Sequence, residues 1–205
     1  MKHPRLKRPC LALAALMILQ AVAAPAATPP SATAGAPASA PSDIVDTSFL
    51  TADGARTLQL STVIDAPVAI LWAAFTNADE FKRWNSPVAA IDLRVGGSLE
   101  ASYDASHPLG DPDNIKHRII TFLPERLVVF QNVQAPHALP HADRFQRTVT
   151  VLQYEPLGPA RTRVTLSSTG WSDDADSRQV YDFFNAGNAE LLAKMKSVYG
   201  ARKAP

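Results

Sequence analysis

The stretch DSRQVYDFFNAGNAELLAKMKSVYG, residues 176–200, decides the fold. Val180, Phe184, Gly187, Leu191, Met195 and Val198 recur at three- and four-residue intervals, which is one stripe of an amphipathic helix. The spacing predicts a long helix over 176–199, closed by Gly200 as the C-cap. Just before it the period is two. Phe145 to Tyr154 and Arg161 to Thr169 read as strands flanking the turn Pro156-Leu157-Gly158-Pro159. Ile115 to Leu123 and Leu127 to Asn132 read as another pair, joined at Pro124-Glu125-Arg126. Further back, Ala89, Ile91, Leu93 and Val95 alternate with Ala90, Asp92 and Arg94. Gly96-Gly97 turns the chain into a return strand carrying Leu99, Ala101 and Tyr103.

The front of the domain reads equally clearly. Arg56 to Ile64 is a strand in which Leu58, Leu60, Thr62 and Ile64 share one face. Asp65-Ala66-Pro67 offers an acidic N-cap and a first-turn proline, and Val68, Leu71, Trp72 and Phe75 then form a helical face. Asn77-Ala78-Asp79-Glu80 repeats the start signal in capping-box form and opens a second short helix burying Phe81 and Trp84. Asn85-Ser86-Pro87 ends it. The order is strand, two short helices, six strands, long helix. Strands joined mostly by short turns make an antiparallel sheet, here of about seven strands, and an α+β layer results when helices collect on one face. The amphipathic C-terminal helix is the natural occupant of the concave side.

Composition narrows the function classes. The chain has 205 residues, 46% hydrophobic and 19% charged, with 20 Lys plus Arg against 19 Asp plus Glu. Lys2, Arg5, Lys7 and Arg8 lie in the first 23 residues, which hold no acid; the remainder has 16 basic and 19 acidic residues. A mildly acidic body does not suit a phosphate backbone, so nucleic-acid binding is not expected. The basic start precedes an apolar run from Leu11 to Val22, shorter than the roughly 20 residues needed to span a bilayer. Small residues at Ala21, Ala23, Ala24 and Ala26 then supply cleavage sites. Residues 1–23 thus read as a signal peptide for export to the periplasm or medium, with mature protein starting at Ala24 or Ala27 and no membrane span after processing. Residues 24–43 read as an Ala/Pro/Ser/Thr linker without apolar periodicity. The folded domain is expected over 44–200, with a tail at 201–205. Cys10, the sole cysteine, falls in the signal.

Taken in order, Ile64-Asp65-Ala66-Pro67 before a helix with Leu71-Trp72, Phe81-Lys82-Arg83-Trp84, and Asp92-Leu93-Arg94-Val95-Gly96-Gly97 resemble the START-like (SRPBCC) superfamily. Pro124-Glu125-Arg126-Leu127-Val128, Thr162-Arg163-Val164-Thr165-Leu166 and Gly170-Trp171 extend the likeness over Ala55 to Tyr199. The nearest branch is similar to the C-terminal domain of the activator of the heat-shock-protein-90 ATPase. The resemblance implies a helix-grip fold, with a sheet wrapped around the long helix and a ligand space between them. It implies binding of lipids or other hydrophobic molecules, and in some members polyketide cyclase or hydrolase activity.

Chemistry-bearing motifs are sparse. There is no Gly-x-Ser-x-Gly elbow, phosphate-binding glycine loop or His-Glu-x-x-His, and the mature chain has no thiol. No cofactor is expected. His137 and His141, with Asp143 nearby, have i, i+4 spacing, but Pro136 and Pro140 argue for a loop and three candidates do not close a zinc site, so no metal is expected. His117 shares strand parity with Ile115 and Ile119 and points to the ligand space if that face is the inner one, where it is the one candidate general base. Gln131, with the parity of Leu127 and Val129, and Arg147, with that of Phe145 and Val149, are polar groups on apolar faces that could orient a ligand. Tyr103 on the return strand and Phe184, Asn188 and Leu191 on the closing helix complete the expected ligand-binding set. Gly187 stands out because a mid-helix glycine costs about 1 kcal/mol relative to alanine, so either close packing or ligand room should account for it. The expected function is to hold a hydrophobic small molecule. A cyclase- or hydrolase-type enzyme using His117, and an interaction module using the loops 106–114 and 134–143, are the alternatives.

Overall fold

A computed structural model describes residues 43–200. The signal, linker and tail readings lie outside the described residues. The elements run β1 Val45–Asp46, β2 Phe49–Leu50, β3 Arg56–Ile64, α1 Val68–Thr76, α2 Ala78–Trp84, β4 Val88–Ile91, β5 Ser98–Ser102, β6 Ile115–Leu123, β7 Leu127–Gln134, α3 Ala142–Gln146, β8 Val149–Gly158, β9 Arg161–Trp171 and α4 Ala175–Tyr199. All strand pairs are antiparallel, in the order β1-β3-β9-β8-β7-β6-β5-β4, with β2 also pairing β3. Helix α4 packs against β3 and β9, and α1 and α2 pack against β8 and β4. This is the α+β layer that the periodicities predict, in the helix-grip form that the family resemblance implies.

Local chemistry explains the elements. In β3 the residues Leu58, Leu60, Thr62 and Ile64 are all buried, as alternation requires. Asn77 caps α2, its side-chain oxygen accepting from the backbone N–H groups of Asp79 at 2.9 Å and Glu80 at 3.1 Å. Trp84 then seals α2 onto α1 by donating from Nε1 to the carbonyl of Ala74 at 2.8 Å. At the turn before β5, a Cβ on Gly97 would lie 2.1 Å from the Asp92 carbonyl oxygen, so only glycine fits there.

Five local expectations need correction. The strands β1 and β2 have two residues each and show no alternation for a sequence reading to find. Asp65 does not cap α1; the N-cap is Pro67 without a side-chain bond, and Asp65 pairs instead with Arg161 at 3.6 Å. Strand β4 stops at Ile91, because Asp92 to Gly97 forms a tight turn that leaves Val95 exposed. Phe145 and Arg147 are not in a strand. Phe145 belongs to the one-turn helix α3, and Arg147 is its C-cap. Finally, the deepest line on α4 is Ser177, Val180, Tyr181, Ala189, Leu192, Met195 and Tyr199, which keeps Val180 and Met195 of the expected stripe and leaves out its other members. Phe184, Leu191 and Val198 flank that line, half-buried. Adjacent pairs such as Leu191-Leu192 and Val198-Tyr199 satisfy the same period, and contact with β3 and β9 selects the second member.

Gly187 is half-buried, and a Cβ added there meets nothing within 4 Å. Close packing therefore does not account for this glycine. Gly187→Ala is expected to stabilise the domain by about 0.5–1 kcal/mol, through helix propensity alone. Thermal unfolding followed by circular dichroism checks it, and a lowered midpoint would mean that the position needs its missing side chain.

Candidate ligand-binding site

The register of the sheet sets out the concave face. Leu99 on β5 lies opposite His117 on β6, which lies opposite Asn132 on β7. One step along β7, Phe130 faces Thr150 on β8, which faces Ser168 on β9, which faces Leu58 on β3. His117 therefore points inward, as its parity with Ile119 suggests. Its ring lies 4.7 Å from that of Phe130 and 6.4 Å from that of Phe145. Phe145, the one buried residue of α3, stacks on Phe184 of α4 at 3.9 Å and lies 6.4 Å from Trp171 at the end of β9. Trp171 in turn is 6.0 Å from Phe184 and 5.8 Å from Tyr181. Gly170, at φ +94°, brings β9 against the end of α3, where a Cβ would sit 3.0 Å from the Arg147 carbonyl oxygen. Five elements, β6, β7, α3, β9 and α4, thus contribute rings to one aromatic compartment.

That compartment is not purely apolar. His117 Nδ1, Asn132 Oδ1, Ser168 Oγ and Trp171 Nε1 are all shut off from solvent and have no hydrogen-bond partner. An indole N–H only donates, an amide oxygen only accepts, and a hydroxyl does both. Leaving such a group unsatisfied costs about 1–3 kcal/mol, so buried polar atoms are normally paired. Asn132 is held in place by its amide nitrogen, which donates to the Gln134 carbonyl at 3.0 Å. Burial pushes the His117 pKa down to about 4, so its imidazole is neutral at pH 7.

His117 and Phe184 both meet the ring of Phe145, with Asn188 and Leu191 half-buried one and two turns further along α4. Tyr103 is elsewhere. It lies half-buried beyond the end of β5, and its phenol bonds Asn85 at the end of α2; burial, opposed by that bond, raises its pKa. Gln131 is on the opposite face, between Arg118 at 3.2 Å and the Gln146 carbonyl at 3.2 Å. Burial along β7 falls on Val128, Phe130 and Asn132, so the odd-numbered residues point away. Arg147 is exposed and pairs with Asp143 at 3.3 Å. His137 and His141 diverge, the first to Asp113 at 2.7 Å and the second to Asp176 at 3.3 Å. Among the described residues no cluster could hold a metal ion.

Trp171, Asn132, Ser168, Phe130 and Phe145 are the site residues that sequence reasoning missed. Asn132 was within reach, since it shares parity with Val128 and Phe130; choosing the Leu127-Val129 face hid it. Nearby, an apolar pocket of about 10 Å³ lies between Phe75 and Thr76 of α1 and Leu99, Ile119, Val128 and Phe130 of the sheet. That is about one water's worth of room.

Residues 65–200 match the family model described as Activator of Hsp90 ATPase homolog 1-like protein. The chain belongs to this family. Its fold is similar to the solution structure of the Aha1 dimer from Colwellia psychrerythraea, with TM-score 0.57 and 17% identity over 72% of this chain and 98% of that one. Protein Ms6760 from Mycobacterium smegmatis gives TM-score 0.55 and 20% identity over 78% and 99% of the two chains. CalU16 from Micromonospora echinospora gives 0.54 and 19% over 78% and 86%. At these identities the likeness concerns the fold alone. No curated protein matches the sequence. Within this Hsp90-activator-like family, the chain is a START-like helix-grip domain, and no helix among its described residues is long and apolar enough to cross a membrane.

Proposed function

We propose that this Hsp90-activator-like domain is an exported binding protein that holds a hydrophobic small molecule between the concave sheet and α4. The observation that carries the reading is the set of four buried, unpartnered polar atoms among His117, Asn132, Ser168 and Trp171, walled by Phe130, Phe145 and Phe184. An apolar enclosure with a few convergent polar groups is the usual form of a small-molecule site. A bound molecule would supply the missing partners. Binding is favoured over proton abstraction because a His117 pKa of about 4 makes the imidazole a poor base near neutral pH, where a base works best with a pKa close to the operating pH. Its Nδ1 also has no partner to orient the ring for catalysis. The basic start and short apolar run of residues 1–23 support export.

Native mass spectrometry of protein recovered from outside the cytoplasm tests both parts at once. The expected result is a chain beginning at Ala24 or Ala27 that carries a non-covalent hydrophobic adduct. Recovery of the chain only at full length and embedded in the membrane would overturn export, and an adduct-free protein that also fails to take up hydrophobic probes would overturn ligand binding.

A further inference from the structure

The segment between β7 and β8, residues 135–148, closes one side of the aromatic compartment. Ala135 and Leu139 pack on the core, and Phe145 lays its ring on Phe184. The segment meets the loop 103–114 on one flank and the start of α4 on the other, and a histidine makes each junction. His137 Nδ1 lies 2.7 Å from Asp113, and His141 Nδ1 lies 3.3 Å from Asp176. His107 stands behind the first junction, 3.8 Å from Asp104. The Asp113 pKa is lowered by the backbone N–H of His137, then by its ring, with a smaller part from His107. Apart from His117, these are all the histidines of residues 43–200. Both flanks are short of cations. Loop 103–114 holds Asp104, Asp111 and Asp113 and no Lys or Arg. On the other flank Arg144 is shared among Asp143, Asp174 and Asp176, at 3.8, 3.4 and 4.0 Å. Arg56 and Arg178 both serve Asp173, and Arg147 serves Asp143. A proton on His137 or His141 therefore answers an existing surplus of negative charge. His141 also stands in the left-handed region, φ 53°, which costs a residue other than glycine, and its side chain goes to Asp176 without capping α3.

We infer that these histidines form a pH-sensitive clasp: protonated, they pin residues 135–148 to loop 103–114 and to α4, and as pH rises the segment loosens and ligand exchange quickens. This rests on the ligand-binding reading above and adds to it how access to the site is regulated. Histidine is the side chain whose charge ordinarily changes between pH 5 and 8. A neutral imidazole keeps its hydrogen bond to the carboxylate but loses the attraction between charges. The interior does not follow. With a pKa of about 4, His117 stays neutral from pH 6 to 8, and the carboxyls of Asp104 and Asp113 are held below their ordinary range, so in this window the junctions change while the compartment does not. The root of the segment is fixed at every pH, because the Gln134 amide donates to the carbonyls of Asp111 at 3.0 Å and Asn114 at 2.8 Å. An exposed ion pair shifts an equilibrium by up to about fivefold, so the clasp is strong enough to bias opening and weak enough to release.

The test compares the full chain with a double variant carrying His137→Asn and His141→Asn. Asparagine puts a neutral amide where each imidazole has Nδ1, the atom that meets the carboxylate, and it tolerates the left-handed conformation at position 141. Amide hydrogen exchange of residues 135–148 is read at pH 6 and pH 8, parent against variant at each pH, so that the chemical pH dependence of exchange cancels. The parent is expected to be about fivefold better protected than the variant at pH 6 and equal to it at pH 8. Release of N-phenyl-1-naphthylamine, a hydrophobic probe uncharged in this window, should follow: about fivefold slower from the parent at pH 6, and equally fast from both at pH 8. If the double variant does not fold, His137→Asn alone, at a side chain 77% exposed, decides the matter with an expected effect of about twofold. Equal protection at both pH values, or a difference that persists unchanged at pH 8, would overturn the clasp. Protection that changes as expected while the probe leaves at one rate would overturn its control of access and leave the ligand-binding reading intact. If no hydrophobic probe binds either protein, and native protein carries no adduct, the ligand-binding reading falls and control of access falls with it, whatever the amides show.

Discussion

Trp171→Ala is expected to destabilise the domain by about 3–5 kcal/mol, the usual range for deleting a fully buried Trp or Phe. For a domain of this size that is a fall of roughly 6–20 °C in melting temperature. Trp171 is 1% exposed and joins the rings of Phe145, Tyr181 and Phe184, so its removal leaves a cavity where β9, α3 and α4 meet. Because its Nε1 has no partner, the loss is one of packing and not of a hydrogen bond. Trp171→Phe, which keeps a ring and removes the orphan donor, should cost clearly less. Urea and thermal unfolding of the two variants measure the difference. A loss below about 1 kcal/mol for Trp171→Ala would mean that the compartment is not part of the folding core.

Acidification from pH 6.5 to 4 is expected to lower stability by about 3 kcal/mol through His117 alone. Its folded pKa of about 4 lies below the ordinary value of 6.5, so in this window the unfolded chain binds the proton and the folded chain does not. Stability contributed by the neutral, buried imidazole is present above pH 6.5 and is lost as pH falls toward 4. The carboxyls of Asp46, Glu100, Asp113 and Asp174 are held below their ordinary range, so their contributions fade mainly at the acid end of this window and below it. His117→Phe, which keeps a ring beside Phe130, should flatten the dependence between pH 6.5 and 5. Urea midpoints of parent and variant at pH 7.5, 6.5, 5.5 and 4.5 check it. Parallel curves would mean that His117 is solvated and unperturbed.

The two results together separate the packing of the compartment from its polarity. Trp171 tests whether the aromatic wall holds the fold together. His117 tests whether an ionisable group is kept uncharged inside it, which is the condition under which a neutral ligand is preferred over an ion.

The element order and the α+β class were legible in the sequence because they depend on short-range periodicity. Leu58 to Ile64 alternates whatever it packs against, and Asn77 supplies its cap within three residues. The direction of His117 was legible only as a condition, since Ile119 and Ile120 put an apolar residue on each face; the burial of Ile119, the exposure of Ile120 and the pairing with β5 and β7 turn it inward. What escaped depends on choices that local pattern leaves degenerate. Both faces of β7 carry apolar residues, so only its pairing with β6 and β8 shows that Asn132 faces inward and Gln131 outward. On α4, Leu191 and Leu192 fit one period equally well, and β3 and β9 decide which is buried. Phe145 fits a strand pattern, yet its chain makes a one-turn helix that carries the ring onto Phe184, 39 residues further along, and near His117 and Trp171. The sequence by itself determined the order of the main elements from β3 to α4, with α3 excepted, because hydrogen bonding and side-chain period are local. The tertiary structure alone decided which polar atoms are buried without partners, because burial is set by neighbours that arrive from distant parts of the chain.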